Sequence, residues 1–437
     1  MISSRPTLSR RTLLKSIAAG AAAPYVLAAS SLGKEAGQPA PSNRLTMGLV
    51  GLGSMGLRHV NGFVQESDLR ILAVCDVDAP RRYAAAEVVN KAYGNTDCGT
   101  IHDFRELFAR RDIDTVCLAV PDHWHSIVAI QAARAGKHIY GEKPLALTIS
   151  EGRAMVNEIR RTGCVWETGS WQRSTAHFRR ACALVRSGRI GKLQRVLVGI
   201  GSGSAIPPQP PMPVPDGFDY NLWLGPAPEA PYTEKRCHWN FRWILDYSGG
   251  QVTDWGAHHI DIAHWGMNAD NTGPIEVSGT GEFPSNGLWD AAVHFHFVCR
   301  YANGVVLEVA SFDKFPEGVR FIGDGGEVFV SRADLKTQPA GLMREKLGLG
   351  EEDLGSGGRR GENRQGHRRD FLDCIRNNDE PIAPIEAAHR SITVAHLGNI
   401  AMILGRKIRW DPQREEFLDD PTATRMLGRA MRFPWHI

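Results

Sequence analysis

One turn constrains this chain more than any other feature. An apolar run from Leu45 to Val50 ends in Gly51-Leu52-Gly53-Ser54-Met55-Gly56, and Asp76 stands 20 residues after Gly56, closing the next apolar run, Ile71 to Cys75. Glycines at this spacing between a strand and a helix have separate tasks. Gly51 permits the tight turn, Gly53 lets backbone approach a pyrophosphate, and Gly56 lets the helix pack on the strand. The helix start at Ser54 and Met55 offers free N–H groups and a positive dipole end to that phosphate. A carboxylate at Asp76 accepts hydrogen bonds from the adenosine ribose and repels a 2′-phosphate. The expected cofactor is therefore NAD, with Arg81 and Arg82 close enough in sequence to leave NADP open.

The surrounding pattern alternates strand and helix. Strands are expected at 71–75, 115–120, 138–140 and near Val165, and helices from about 55 and over 79–92, 103–109, 123–135 and 150–161. Fully apolar strands in such alternation predict a parallel, doubly wound Rossmann sheet over residues 45–165. From 166 to 412 the character changes. Helices are expected at 174–187, 251–266 and 385–404, and strands at 193–200, 305–309 and 327–330. Val293, Phe295, Phe297 and Cys299 alternate with His294, His296 and Arg300, a period-two strand with one covered face. This predicts a second α/β domain built on a large, mostly antiparallel open sheet. Residues 206–216 read as a Pro-rich loop, 345–366 as a surface loop and 413–437 as a tail.

With 42% hydrophobic and 23% charged residues and a net charge of +3, the chain has no basic stripe that would suit nucleic acid. Its eight cysteines include no Cys-x-x-Cys, so no zinc ribbon or thioredoxin-like site is signalled. A disulfide cannot be paired from their spacing. Residues 1–30 read as a targeting segment. Ser9-Arg10-Arg11-Thr12-Leu13-Leu14-Lys15 resembles a twin-arginine signal, followed by an apolar run, Ile17 to Ala29, too short to span a bilayer, with small residues Ala28 and Ser30 near a cleavage point. Residues 31–44 then form a linker. The expected partner is the twin-arginine export machinery, and the expected location the periplasm. That route carries folded protein with its cofactor inside, which implies slow cofactor release.

Pro121 and His125 follow the strand that ends at Val120, where such sheets present cofactor contacts. Capping by Asp122 and packing by Trp124 is the competing reading. Glu142-Lys143-Pro144 follows another strand, so Lys143 is expected at the carboxyl edge of the sheet. A partly desolvated lysine beside a positively charged nicotinamide has a lowered pKa and can exchange a proton with a hydroxyl. Asp254 and His258 stand four apart on the expected helix, hence on one face, with Asp261 three further on. His258 can polarise or deprotonate a hydroxyl while Asp254 orients it. A solvated loop lysine and a helix-stabilising pair are the alternatives. Asp254, His258 and His264 have no metal-ligand spacing, and no metal is expected. Trp223, Trp239, Trp243 and Trp255 suit either sugar stacking or core filling.

These pieces together resemble the Gfo/Idh/MocA family of oxidoreductases, which includes glucose–fructose oxidoreductase and inositol dehydrogenase. The resemblance rests on residues 51–56, on Ala-Gly-Lys-His-Ile-Tyr-Gly-Glu-Lys-Pro at 135–144, and on Gly-Gly-Gln-Val-Thr-Asp-Trp-Gly-Ala-His-His-Ile-Asp at 249–261. It implies a Rossmann domain and an α/β domain, with Lys143 as catalytic lysine and Asp254 and His258 as its acid/base and substrate-binding partners. It also implies that Gln172, with Arg173, lies near the cofactor along with Glu142, and that a helix-free sheet face serves in dimers or tetramers. The exported member, glucose–fructose oxidoreductase, keeps its nucleotide and cycles it between two sugars. This chain differs from it at Asp76 and His258, so the sugar or glycoside is not implied. Two rival expectations are an NAD-dependent glycosidase, working by transient oxidation and elimination, and a non-catalytic dinucleotide sensor.

Overall fold

A computed structural model describes residues 43–348, 354 and 366–437. The export-signal reading and nearly all of the 345–366 loop beyond Gly348 fall outside the described residues.

The first sheet has six strands: β1 (Leu45–Val50), β2 (Leu69–Cys75), β3 (Gly99–Ile101), β4 (Thr115–Leu118), β5 (His138–Gly141) and β6 (Trp166–Thr168). Every pairing is parallel and the order is β3-β2-β1-β4-β5-β6. The order reverses beside β1, which leaves a crevice at the carboxyl ends of β1 and β4. Helices Ser54–Phe63, Ala79–Tyr93, Asp122–Arg134 and Ile149–Thr162 connect the strands. Their ends follow sequence signals. Asp78 accepts from Arg81 N–H and Thr148 from Glu151 N–H at the helix starts, and Gly94 and Gly163 close the same helices in left-handed conformations.

The second sheet has nine strands: β7 (Leu193–Ile200), β8 (Glu276–Glu282), β9 (His294–Arg300), β10 (Val306–Ser311), β11 (Gly318–Gly323), β12 (Glu327–Val330), β13 (Leu335–Gln338), β14 (Ile408–Asp411) and β15 (Glu416–Phe417). The order is β13-β12-β11-β7-β10-β9-β8-β14-β15. Only the β7–β10 pair is parallel. Helices Ala176–Arg186, Gly256–Met267 and Ile385–Leu404 pack on the sheet. Phe297, Phe321 and Trp265 are fully buried there. Charged pairs also decorate the strands, including Arg195 with Glu308 at 2.6 Å and His296 with Glu308 at 3.2 Å.

The structure departs from expectation in three places that bear on the site. Strand β3 has three residues and no alternation, so it leaves no periodic trace. The expected helix 251–266 is two helices, Gln251–Asp254 and Gly256–Met267, broken at Trp255. The Pro-rich loop continues into a strap that crosses to the first sheet. Its Phe218 bridges to Asp78, Ala79 N–H donates to Gly217 O at 2.9 Å, and Asp219 N–H donates to Val77 O at 3.0 Å.

Candidate active site

A cavity of about 410 Å³ lies over the carboxyl ends of β1, β2 and β4. Gly51, Gly53, Ser54, Met55 and Asp76 line one end, Pro121 the middle, and Glu142, Lys143 and Asp254 the other. The strap forms its roof with Phe218, Leu222, Trp223, Trp239, Phe241 and Arg242.

The glycine turn fits a pyrophosphate. Gly51 has φ +85°, and a Cβ there would meet Ala119 O at 2.5 Å. A Cβ on Gly56 would sit 1.9 Å from Gly51 O, so helix and turn touch only because the side chain is missing. Gly53 differs: the only atom near its hypothetical Cβ is Arg81 Nη1 at 3.2 Å. Space is therefore open above Gly53, at a helix start with no side-chain cap and no acidic residue in its first turn. Such a start is a ready anion site. Asp76 is set by the turn itself, its Oδ2 accepting from Leu52 N–H at 2.5 Å and its Oδ1 from Asp78 N–H at 2.9 Å. Burial raises its carboxyl above the usual range, against those two bonds. Each oxygen keeps a second lone-pair direction for a ribose hydroxyl. Arg81 is turned to Asp78, 3.1 Å away, and Arg82 donates to Asp76 O.

The break at Trp255 shapes the opposite end. His258 N–H donates to Trp255 O at 3.0 Å, and the carbonyl of Asp254 instead accepts from Lys143 Nζ at 3.2 Å. The same ammonium meets Asp254 Oδ1 at 2.5 Å, and Arg242 Nε lies 3.3 Å from Oδ2. Burial opposes the Asp254 charge, but Lys143 and Arg242 outweigh it and hold the carboxyl below its usual range. The lysine is thus gripped by one aspartate from the other half of the molecule, rather than merely desolvated as expected. Behind it, Glu142 Oε2 accepts from Lys143 N–H at 3.2 Å, and Oε1 pairs with His59 Nε2 at 2.7 Å. A buried carboxylate paired in this way fixes the backbone that carries the lysine.

His258 stands one turn beyond Asp254, outside the cavity lining. Its pKa is pushed well below the ordinary value by burial first, then by the charges of Lys143 and Arg332. The ring is therefore neutral near pH 7, and its buried Nδ1 has no hydrogen-bond partner among the described residues. Trp171 and Trp255 stand edge-on to it, with ring centroids 6.5 and 6.3 Å away.

Two expected cofactor contacts lie elsewhere. His125 faces inward, its Nε2 2.8 Å from Val120 O and its Nδ1 3.3 Å from Leu145 O. It braces the loops under the cavity instead of lining it, because the first turn of helix Asp122–Arg134 points that side chain into the core. Gln172 is buried behind His258, donating to His258 O at 3.3 Å and accepting from Arg332 at 3.0 Å. It positions the histidine's helix. Asp261 and Arg173 form a buried pair at 2.7 Å, shared with Asp270, and His264 meets Tyr301 OH at 2.6 Å. Of the strap side chains in the lining, the sequence marks Trp223 and Trp239 as candidates for stacking or core filling, and leaves Arg242, Phe218, Leu222 and Phe241 unmarked. A Trp-Asn-Phe-Arg-Trp run at 239–243 was the one available signal. Cys75, Cys98, Cys117, Cys164, Cys182, Cys237 and Cys299 are free thiols.

Comparison with known proteins bears on the family and the fold. The Gfo/Idh/MocA model described as an oxidoreductase family with an NAD-binding Rossmann fold matches residues 45–170, and that for the C-terminal alpha/beta domain of the oxidoreductase family matches residues 204–437. The chain is 24% identical to 1,5-anhydro-D-fructose reductase of Ensifer adhaerens over 310 residues, 70% of this chain and 81% of that one. It is 35% identical to glycosyl hydrolase family 109 protein 1 of Shewanella sp. strain MR-4, over only 119 residues and 26% of each chain. The crystal structure of aldose-aldose oxidoreductase from Caulobacter crescentus, complexed with glycerol, superposes with a TM-score of 0.62 at 20% identity, covering 84% of this chain and 99% of that one. That likeness speaks for the fold. With both halves matched and the glycine turn open at the cavity, the chain belongs to the Gfo/Idh/MocA family: it is an oxidoreductase with an NAD-binding Rossmann domain.

Proposed function

We propose that the protein is exported and uses NAD to oxidise a hydroxyl, or reduce the matching ketone, of a sugar or glycoside, and that it keeps its nucleotide between turnovers. The observation that carries this reading is the 2.5 Å contact of Lys143 with Asp254 at the end of the cavity opposite the glycine turn. NAD, when bound, supplies the two-electron acceptor; Gly51, Gly53, Gly56 and Asp76 would hold it. The chain's own task is the proton. His258, one helical turn beyond Asp254, is the group assigned to take it from the hydroxyl. The Lys143 ammonium donates a hydrogen bond to the same oxygen as negative charge builds there. Asp254, flanked on its other oxygen by Arg242, holds the lysine, and the His59–Glu142 pair holds its backbone. The reductase and aldose oxidoreductase similarities support a sugar.

The strap supports retention, since aromatic side chains from residues 218–241 roof the cavity and backbone bonds tie the strap to the first sheet. The Arg10-Arg11 segment supports export to a compartment where lost nucleotide is not replaced. Changing both arginines to lysine should leave the protein in the cytoplasm; an unchanged periplasmic fraction would contradict that route. A dimer or tetramer is proposed through the helix-free face of the nine-stranded sheet, and its mass in solution tests this.

Mass spectrometry of the as-purified protein, followed by a sugar and glycoside panel scored for keto-sugar, tests the whole reading. Bound NAD and a keto product are expected. An empty, freely exchanging site and no product would contradict it. The glycosyl hydrolase similarity keeps a second reading in view, transient oxidation that loosens a glycosidic bond. Release of free sugar from an aryl glycoside without net nucleotide reduction distinguishes it.

A further inference from the structure

Arg332 follows β12 and is immobilised on three sides. Its guanidinium carbon lies 4.4 Å from the ring centre of Trp255 and 5.0 Å from that of Trp171. Its Nε donates to Gln172 Oε1 at 3.0 Å, and Gln172 is itself bonded to His258 O. The two indoles that clasp the guanidinium are the two that stand edge-on to His258. Arginine and histidine therefore share the same walls.

What the guanidinium lacks is an anion. By contrast, the fully buried Arg173 sits between Asp261 and Asp270, and the partly buried Arg153 between Glu386 and Glu415. Among the described residues no carboxylate lies within ion-pair distance of Arg332. Of the acidic residues whose charge it feels, Asp254 is paired with Lys143 and Arg242, and Glu317 is partly exposed and lies beyond ion-pair distance of it. Arg58, exposed on helix Ser54–Phe63, adds a further positive charge to the same neighbourhood.

A stacked guanidinium keeps its planar fork oriented, and the fork matches a carboxylate or phosphate with two parallel hydrogen bonds. Stacking on two indoles also removes most of the freedom that a surface arginine would lose on binding. We propose that Arg332, clasped by Trp171 and Trp255 beside His258, binds an anionic group of the substrate, so that the substrate is an acidic sugar bearing a carboxylate or a phosphate ester. The proposal rests on the sugar oxidoreductase reading and adds the substrate's charge.

Calorimetry on the NAD-loaded full chain tests it with three probes: D-glucose, D-glucuronate and D-glucose 6-phosphate. At least one acidic probe should bind about tenfold or more tighter than glucose. Preference for glucuronate assigns a carboxylate, and preference for the phosphate assigns an ester. Arg332→Gln should erase the difference between acidic and neutral probes, and Arg332→Lys, which keeps the charge without the fork, should retain part of it. Equal binding of all three probes, no binding, or a preference that survives Arg332→Gln would overturn the proposal. A protein that oxidises neutral sugars without favouring acidic ones loses this subsite and keeps its oxidoreductase reading. A protein that favours acidic probes through Arg332 yet oxidises nothing keeps the subsite and loses the reading.

Discussion

Lys143 and Asp254, 111 residues apart in the chain, meet twice: ammonium to carboxylate at 2.5 Å and ammonium to the carbonyl of the same aspartate at 3.2 Å. The second contact exists because the helix is interrupted at Trp255, which releases that carbonyl toward the cavity. One backbone irregularity thus positions the charged group on which the proposed chemistry depends.

Asp254→Asn keeps the carbonyl contact and removes the ionic one. It should lower kcat/KM by about 10²- to 10³-fold, the span typical of a lost preorganised donor at a developing oxyanion, with nucleotide affinity little changed. Steady-state kinetics beside a nucleotide titration checks this. Equal losses in both would indicate a damaged fold.

Two glycines of the turn should respond differently. Gly56→Ala forces a Cβ to within 1.9 Å of a backbone oxygen and should destabilise the fold by about 1–3 kcal/mol, as overpacking does. Gly53→Ala meets only the end of a flexible arginine at 3.2 Å. It should melt close to the parent yet bind NAD more weakly. Thermal melts with and without nucleotide separate the two outcomes.

The pH profile follows from His258. Its folded pKa is depressed by burial and by the Lys143 and Arg332 charges, so the neutral, proton-accepting form persists on acidification. The acid limb of kcat/KM should therefore lie below the ordinary histidine value of about 6.5. Arg332→Gln removes one of the positive charges and should move the limb to higher pH. A limb that stays in place, or moves to lower pH, would contradict the assignment of the proton to this ring.

The strap should govern release of the nucleotide. Phe218 lines the cavity and bridges to Asp78, the residue that caps helix Ala79–Tyr93. Phe218→Ala should raise the NADH dissociation rate about tenfold, equivalent to ~1.4 kcal/mol of lost retention. Stopped-flow displacement measures it. An unchanged rate would remove the strap from the account.

Some of this was legible in the sequence for physical reasons. The turn at 51–56 shows itself because positive φ at Gly51 and the close approach at Gly56 exclude side chains, and the parallel sheet because buried strands are continuously apolar. Lys143, Asp254 and His258 were visible as residue types in motifs. The grip of Asp254 on Lys143 was not, because it depends on a helix break that leaves no mark in the spacing of 254 and 258. His125 is expected at the cofactor from its place after the strand that ends at Val120, and Gln172 from the family resemblance; neither reveals which wall of a cleft a side chain faces. The strap has no periodicity, so only its hydrogen bonds to the first sheet expose its role.

The most direct measurement adds a turned-over sugar to nucleotide-loaded protein and follows reduced nicotinamide absorbance on the bound cofactor, for the parent and for Lys143→Ala. The account predicts a rapid rise in the parent and a rate about 10²- to 10⁴-fold lower in the variant, with the same amount of nucleotide bound. Equal rates in the two proteins would contradict it.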